Sequence, residues 1–270
     1  MGWSFCRRLG LAALVSGVLM AGSAMAANVA LFADTTYVDY TPPSTSSEAY
    51  NMQVALTSMG HTVTPFTGTT GAAWSTALAG AQILVVPEQE NGQIAGNLAP
   101  AAVTAIQSFV GGGGILIVGE DYQSILFINS VFGYSITFGG GAASTQTAAA
   151  ASTVFASGPA ALTDNNATGG YATASLPAGA LCAYANGTTC MVFQINQGSG
   201  RIIQLGYDYF DAVPNGTQDG GWNAVLALAS GGAGGGGAVA VPTLSEYGIA
   251  LLGLMLAAVA GFTLRRRPLG

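Results

Sequence analysis

The side chains of this chain best placed to do chemistry are carboxylates. Of its twelve Asp and Glu residues, eleven lie between Ala27 and Ser230, a span that contains one Arg and no Lys. Five of the eleven follow directly on apolar runs: Asp34 after Asn28–Ala33, Glu88 after Gln82–Pro87, Glu120 and Asp121 after Ile115–Gly119, and Asp208 after Gly200–Tyr207. If those runs are strands of one parallel sheet, the five acids share its carboxyl edge, where ligands of α/β proteins usually bind. Brought together without basic partners, they would raise one another's pKa or attract a hard cation such as Ca²⁺. They could equally accept hydrogen bonds from sugar hydroxyls, with Tyr37, Tyr122, Tyr207 or Tyr209 as stacking platforms. Glu120 and Asp208 could form an acid/base pair for glycoside hydrolysis, which needs two carboxylates across the scissile bond. A plainer reading stands beside these, because Asp at a strand end is often just the N-cap of the next helix. No D-x-D-x-D-G loop makes calcium specific.

Charged residues make up only 7 % of the chain, and the formal net charge is −6. Such a surface repels phosphate backbones, which excludes nucleic acid as a partner and favours cations, neutral glycans or proteins. Of three cysteines, Cys6 belongs to the first residues, leaving Cys182 and Cys190 as an even pair on either side of the turn signal Asn186-Gly187. A disulfide across a hairpin is expected there, contributing about 2–3 kcal/mol at most. His61 is the only histidine, and nothing near it in sequence would orient it as a general base. Three glycosylation-type triplets, beginning at Asn166, Asn186 and Asn215, read as turns.

The elements that must position the carboxylates alternate. Strands are expected at Asn28–Asp34, His61–Phe66, Gln82–Glu88, Ile115–Gly119 and Gly200–Asp208. Helices are expected from Ser46 or Ser47 to Met59, with Tyr50, Val54, Leu56 and Met59 toward the core, and at Gly71–Ala79, Pro100–Val110, Asp121–Phe132 and Gly220–Ala229. Between Tyr134 and Gln197 the texture turns to Ala, Gly, Ser and Thr, which predicts β-hairpins or loops instead of another βα unit. The pattern predicts an α/β fold, a parallel sheet with helices on both faces and a hairpin-rich insertion.

The two ends address the protein. Arg7 and Arg8, the apolar stretch Leu9–Met20 and the A-x-A site Ala24-Met25-Ala26 form a signal peptide over residues 1–26. The domain then spans 27–230, a Gly/Ala linker 231–240, and a terminal segment 241–270 with a membrane helix over 247–264. Arg265, Arg266 and Arg267 place its last residues in the cytoplasm and the domain outside. The run Val241-Pro242-Thr243-Leu244-Ser245-Glu246-Tyr247-Gly248, the apolar helix and the arginine cluster resemble, in that order, the IPTL-CTERM sorting signal, a relative of the PEP-CTERM signals of Gram-negative bacteria. Val for Ile and Tyr for Trp are the departures. The resemblance implies recognition by an exosortase-like membrane transpeptidase, removal of the tail, and delivery to the cell surface or extracellular matrix.

A second resemblance covers most of Asn28–Ser230. It rests on Leu56-Thr57-Ser58-Met59-Gly60-His61-Thr62-Val63, Gly112-Gly113-Gly114-Ile115-Leu116-Ile117-Val118, and Gly198–Asp208. These are similar to the class I glutamine-amidotransferase-like, flavodoxin-type fold and its ThuA-like branches. Enzymes of that superfamily carry a Cys on the turn after the fourth strand, with a His and a Glu later in the chain. Here the turn reads Gly119-Glu120-Asp121. The resemblance therefore implies the fold without the amidotransferase chemistry, and no catalytic residue is carried over. The expected function is that of an exported, non-catalytic binding domain for a glycan, cation or protein; the alternative is a carboxylate- or metal-dependent hydrolase of envelope polysaccharide.

Overall fold

A computed structural model describes residues 26–165 and 167–231. The signal-peptide and sorting-helix expectations lie outside them, and among the described residues no helix is long and apolar enough to cross a membrane. The described residues form a mixed α/β domain with five α-helices and one large sheet.

The apolar runs become β1 (Asn28–Phe32), β2 (Thr62–Phe66), β3 (Ile83–Val86) and β4 (Ile115–Val118). The hairpin-rich segment supplies β5 (Ser144–Gln146), β6 (Ala161–Leu162), β7 (Tyr171–Ala172), β8 (Leu181–Asn186) and β9 (Thr189–Gln197), before β10 (Gly200–Leu205). Strands run in the order β2-β1-β3-β4-β10-β9-β8-β5-β6, with β7 beside β9. From β2 to β10 neighbours are parallel; from β10 onward they are antiparallel. The expected insertion is thus no separate appendage, because its strands continue the same sheet past β10.

Period two sorts the side chains. Val29, Leu31, Ile83, Val85, Ile115, Ile117, Ile203 and Leu205 face one side, with α1 (Glu48–Ser58) and α5 (Trp222–Gly231). Ala30, Phe32, Leu84, Val86, Leu116, Val118 and Ile202 face the other, with α2 (Gly71–Leu78), α3 (Pro100–Gly111) and α4 (Tyr122–Phe132). Both faces of the central strands are covered, which is why they read as unbroken apolar runs. Helix starts follow local chemistry. Pro100 opens α3, Asp121 Oδ1 accepts from Tyr122 N at α4, and Asp219 Oδ1 accepts from Asn223 N at 2.8 Å to cap α5.

The expected inward face of α1 is corrected. Glu48, Ala49, Asn51, Met52, Ala55 and Leu56 are buried, while Tyr50, Val54 and Met59 are only half-covered. Asn51 fixes that rotation: its Nδ2 donates to the carbonyls of Thr45 and Tyr209, each at 2.7 Å. Nor does Ser47 cap α1 with its hydroxyl. Its Oγ donates to Asp39 O and accepts from Thr41 N, both at 2.9 Å, tying the preceding loop to the start of the helix.

Cys182 and Cys190 form a disulfide, with Cα atoms 5.8 Å apart. They meet diagonally on the β8–β9 hairpin: the ladder pairs Cys182 with Phe193 and Cys190 with Ala185, and the register slips twice between them. His61 is buried beside both ends of the domain. Its Nδ1 accepts from Ala27 N at 3.2 Å, and its Nε2 lies 3.1 Å from Ser230 Oγ. Burial lowers its pKa.

Candidate functional site

Parallel strands deliver their ends to one edge. Glu88 follows β3, Glu120 and Asp121 follow β4, and Asp208 follows β10. The structure gathers these four and adds Glu48, from the first turn of α1, which strand-based reading had passed over. Asp208 is the common neighbour: its charge bears on Glu48, Glu88, Glu90 and Glu120 alike. Its Oδ1 accepts from Phe210 N at 2.7 Å, holding the carboxylate toward the edge.

Burial and mutual repulsion favour the protonated form of Glu48, Glu88 and Glu120. Burial, followed by the charges of Asp208, Glu120, Glu48 and Asp121, pushes Glu88 up to about 10. Its Oε2 is buried and has no hydrogen-bond partner. Glu120 is pushed up to about 8 by burial, then by Asp121 and Asp208, against a lowering hydrogen bond from the Asp121 backbone. Glu48 is likewise raised to about 8, by burial above all, with its own backbone N–H opposing and Asp208, Glu90 and Asp39 adding. Asp121 is raised by burial despite the opposing backbone N–H groups of Tyr122 and Gln123. Near neutral pH the edge therefore presents carboxylic acids as well as carboxylates, able to donate as well as accept.

Asp34 takes no part. Burial pushes its carboxyl up, but hydrogen bonds from Thr36 and the Gly68 N–H outweigh this and leave it below the usual carboxylate value. Thr36 N donates to Oδ1 at 3.1 Å and Gly68 N to Oδ2 at 2.9 Å, so this acid braces loops.

The antiparallel half of the sheet supplies a roof. Gly169 N donates to Gly206 O at 2.9 Å, and Thr168 bridges to Tyr207, laying the segment before β7 across the end of β10. A Cβ at Gly169 would collide with the Glu120 carboxyl, so glycine is what allows Glu120 to tuck beneath it. Glu120 is 6 % exposed as a result. Asp121 sits on the β4–α4 turn at φ +112° and ψ 156°, a conformation costing a non-glycine residue about 1–3 kcal/mol.

Two of the expected stacking platforms are corrected. Tyr207 and Tyr209 are core residues: Tyr207 lies parallel to Trp222 with ring centres 5.1 Å apart, and Tyr209 packs edge-on to Tyr207 at 4.8 Å. Tyr37 is half-buried against Phe32. Tyr122 does stand free, 53 % exposed, and the structure adds Phe138 and Phe210, exposed by 37 % and 38 %. All three flank the acids. Tyr122 follows Asp121, Phe138 meets it edge-on at 6.4 Å, and Phe210 lies two residues past Asp208. They are the large hydrophobic side chains exposed among the described residues. A cleft of about 740 Å³ between β1, β2 and α2 is lined by groups such as Ala73, Thr76 and Ala77 and contains no titratable side chain.

With both remaining cysteines in the disulfide and His61 at the far end of β1, no Cys-His-Glu arrangement forms among the described residues. Residues 239–267 match the family model of the IPTL-CTERM motif, which supports an exported protein sorted to the cell surface. No curated protein matches the chain in sequence. Among solved structures, an exo-β-1,4-mannosidase from an Opitutaceae bacterium, strain TAV5, is 12 % identical with a TM-score of 0.44, covering 77 % of this chain; the chain spans only 35 % of the mannosidase. A cytoplasmic protein from Salmonella typhimurium is 10 % identical with a TM-score of 0.48, covering 77 % of this chain and 97 % of its own. A protein assigned as a GMP synthase subunit from Thermoplasma acidophilum is 12 % identical with a TM-score of 0.45, covering 77 % of this chain and 95 % of its own. Backbone agreement at this level fixes neither family nor substrate.

The raised acids carry a signature in stability. A carboxyl whose folded pKa exceeds its unfolded value near 4.5 contributes fully below that value, and the contribution is lost as pH rises through the folded pKa. The urea midpoint should therefore fall from about pH 5 to about pH 9. Glu120→Gln, a neutral mimic of the acid, should flatten the decline between about pH 5 and about pH 8. A midpoint that climbs with pH over that window would contradict the protonated edge.

Proposed function

We propose that this chain is an exported envelope protein whose α/β domain binds neutral glycan at the acidic edge of its sheet. Export begins with a signal peptide removed after Ala26. The IPTL-CTERM tail then presents the protein, through a membrane helix over 247–264, to an exosortase-like transpeptidase. The domain is a flavodoxin-type unit related to the amidotransferase-like, ThuA-like group. The order β2-β1-β3-β4-β10 supports that reading, since it is the 2-1-3-4-5 winding in which ligands sit outside the strand ends.

One observation carries the ligand class: the exposed aromatics Tyr122, Phe138 and Phe210 stand beside the acids Glu120, Asp121 and Asp208. Sugar rings offer an apolar face to such platforms and a rim of hydroxyls to groups that both donate and accept. Protonated acids of the edge donate to hydroxyls, while ionised neighbours accept. The surplus of negative charge disfavours anionic polymers. If the same edge hydrolyses its ligand, Glu120 is the acid and Asp208 the partner across the bond.

The binding test uses the full-length protein and immobilised neutral polysaccharides such as mannan and dextran, with alginate as the anionic control. Retention on a neutral polymer but not on alginate is expected, weakened roughly tenfold by Tyr122→Ala or Phe210→Ala. Equal retention of the variants, or retention on alginate alone, would refute it. Release of reducing ends that disappears in Glu120→Gln would move the protein to the hydrolases. For the address, mass spectrometry of surface-released protein should find a chain beginning at Ala27 and lacking Arg265–Arg267; an intact arginine end in that fraction would refute processing.

A further inference from the structure

Beside the strand-end acids, three carboxylates converge from separate parts of the chain: Asp39 from the loop after β1, Glu48 from the start of α1, and Glu90 from the loop after β3. One oxygen from each lies within 4.8 Å of the other two, the one such group of metal-capable side chains among the described residues. Three acids close together are not in themselves a site. Glu48 adds an independent sign: it is 5 % exposed, and its Oε2 is buried without a hydrogen-bond partner. A buried acceptor left unsatisfied marks a place where a group is owed. The sole Arg or Lys among the described residues, Arg201, lies near the start of β10 at the opposite end of the sheet, so no side-chain cation among the described residues reaches this corner.

The donors are held in place before any ion arrives. Ser47 ties Asp39 O to Thr41 N, and Ala49 N donates to Asp39 O at 3.2 Å, fixing the loop against the helix that bears Glu48. On the other side Asn91 Nδ2 donates to Val38 O at 3.1 Å, and Asn91 N donates to Tyr37 O at 3.1 Å, fixing the loop that bears Glu90.

We infer that Asp39, Glu48 and Glu90 bind a hard divalent cation, Ca²⁺, which clamps the β1–α1 loop to the β3–α3 loop. Carboxylate oxygens alone suit such an ion. Ca²⁺ takes six to eight oxygens in flexible geometry at about 2.3–2.6 Å, whereas Mg²⁺ demands near-ideal octahedral geometry at about 2.0–2.1 Å and dehydrates reluctantly, so carboxylates drawn from separate loops favour Ca²⁺. Glu90 is exposed and Asp39 half-buried, which leaves room for the waters that complete six to eight ligands. Glu48 is shared with the acidic edge, whereas Asp39 and Glu90 lie outside it, and none of the three is a residue argued to grip the glycan, so the inference stands whether or not a glycan binds there.

The test is thermal unfolding of the full-length protein, stripped with EDTA and then supplied with CaCl₂ or MgCl₂. With Ca²⁺ at about a hundred times its Kd, Tm should rise by about 5–10 °C, and calorimetric titration should find one ion per chain. Glu48→Gln and Glu90→Gln should each abolish most of the rise; the second changes an exposed residue and leaves the fold intact. Tyr122→Ala should keep it, which separates this site from the glycan edge. No rise in the wild-type protein, an equal rise with MgCl₂, or an undiminished rise in Glu90→Gln would overturn the assignment.

Discussion

Carboxyl groups crowded at one end of a sheet repel one another, and each must lose its charge, find a counter-charge, or be dispersed. Glu48, Glu88, Glu120 and Asp208 are each within reach of another's field, and Arg201 stands at the other end of its strand. Burial raises the pKa values of Glu48, Glu88 and Glu120 further, so much of this edge is neutral acid near physiological pH. Holding several such groups out of water costs stability that a solvated surface would not cost, a pattern found more often at functional sites than in plain scaffolding.

The rest of the fold follows from keeping that edge assembled. The parallel half aims its strand ends in one direction, and two helical layers bury both faces of β1, β3 and β4 so that those ends are rigid. The antiparallel half then folds over the outcome. The segment around Gly169 covers Glu120, Phe138 packs on Tyr171 and reaches Tyr122, and Asn51 locks α1 in the rotation that turns Glu48 inward. Asp121 accepts an unfavourable backbone at the point where β4 gives way to α4. These features converge on one corner of the molecule, while the cleft beside α2 has no comparable chemistry.

Much of this was legible in the sequence because it depends on local pattern. Apolar runs ending in acids mark β1, β3, β4 and β10, Pro100 marks the start of α3, and the Asn186-Gly187 signal marks the hairpin that carries the Cys182–Cys190 disulfide. What escaped depends on packing. Asp34 has the same sequence context as Glu88, and only the fold shows that Gly68, from another loop, satisfies it. Tyr207 and Tyr209 follow a strand like platform residues, yet Trp222 of α5 draws them into the core. Phe138 and Phe210 lie in irregular segments, where exposure has no period to read. Glu90 is far in the chain from Asp39 and Glu48, and the three meet where Ser47 and Asn91 pin their loops.

The central claim is that the edge is held protonated for a ligand and is not an ordinary acidic surface. Carbon-13 NMR titration of glutamate side-chain carboxyls in the full-length protein reads that state directly, with Glu120→Gln and Glu88→Gln to assign the signals. The account predicts that Glu120 titrates near 8 and Glu88 near 10, both still protonated at neutral pH. Titration of both near the ordinary value of 4.5 would contradict it.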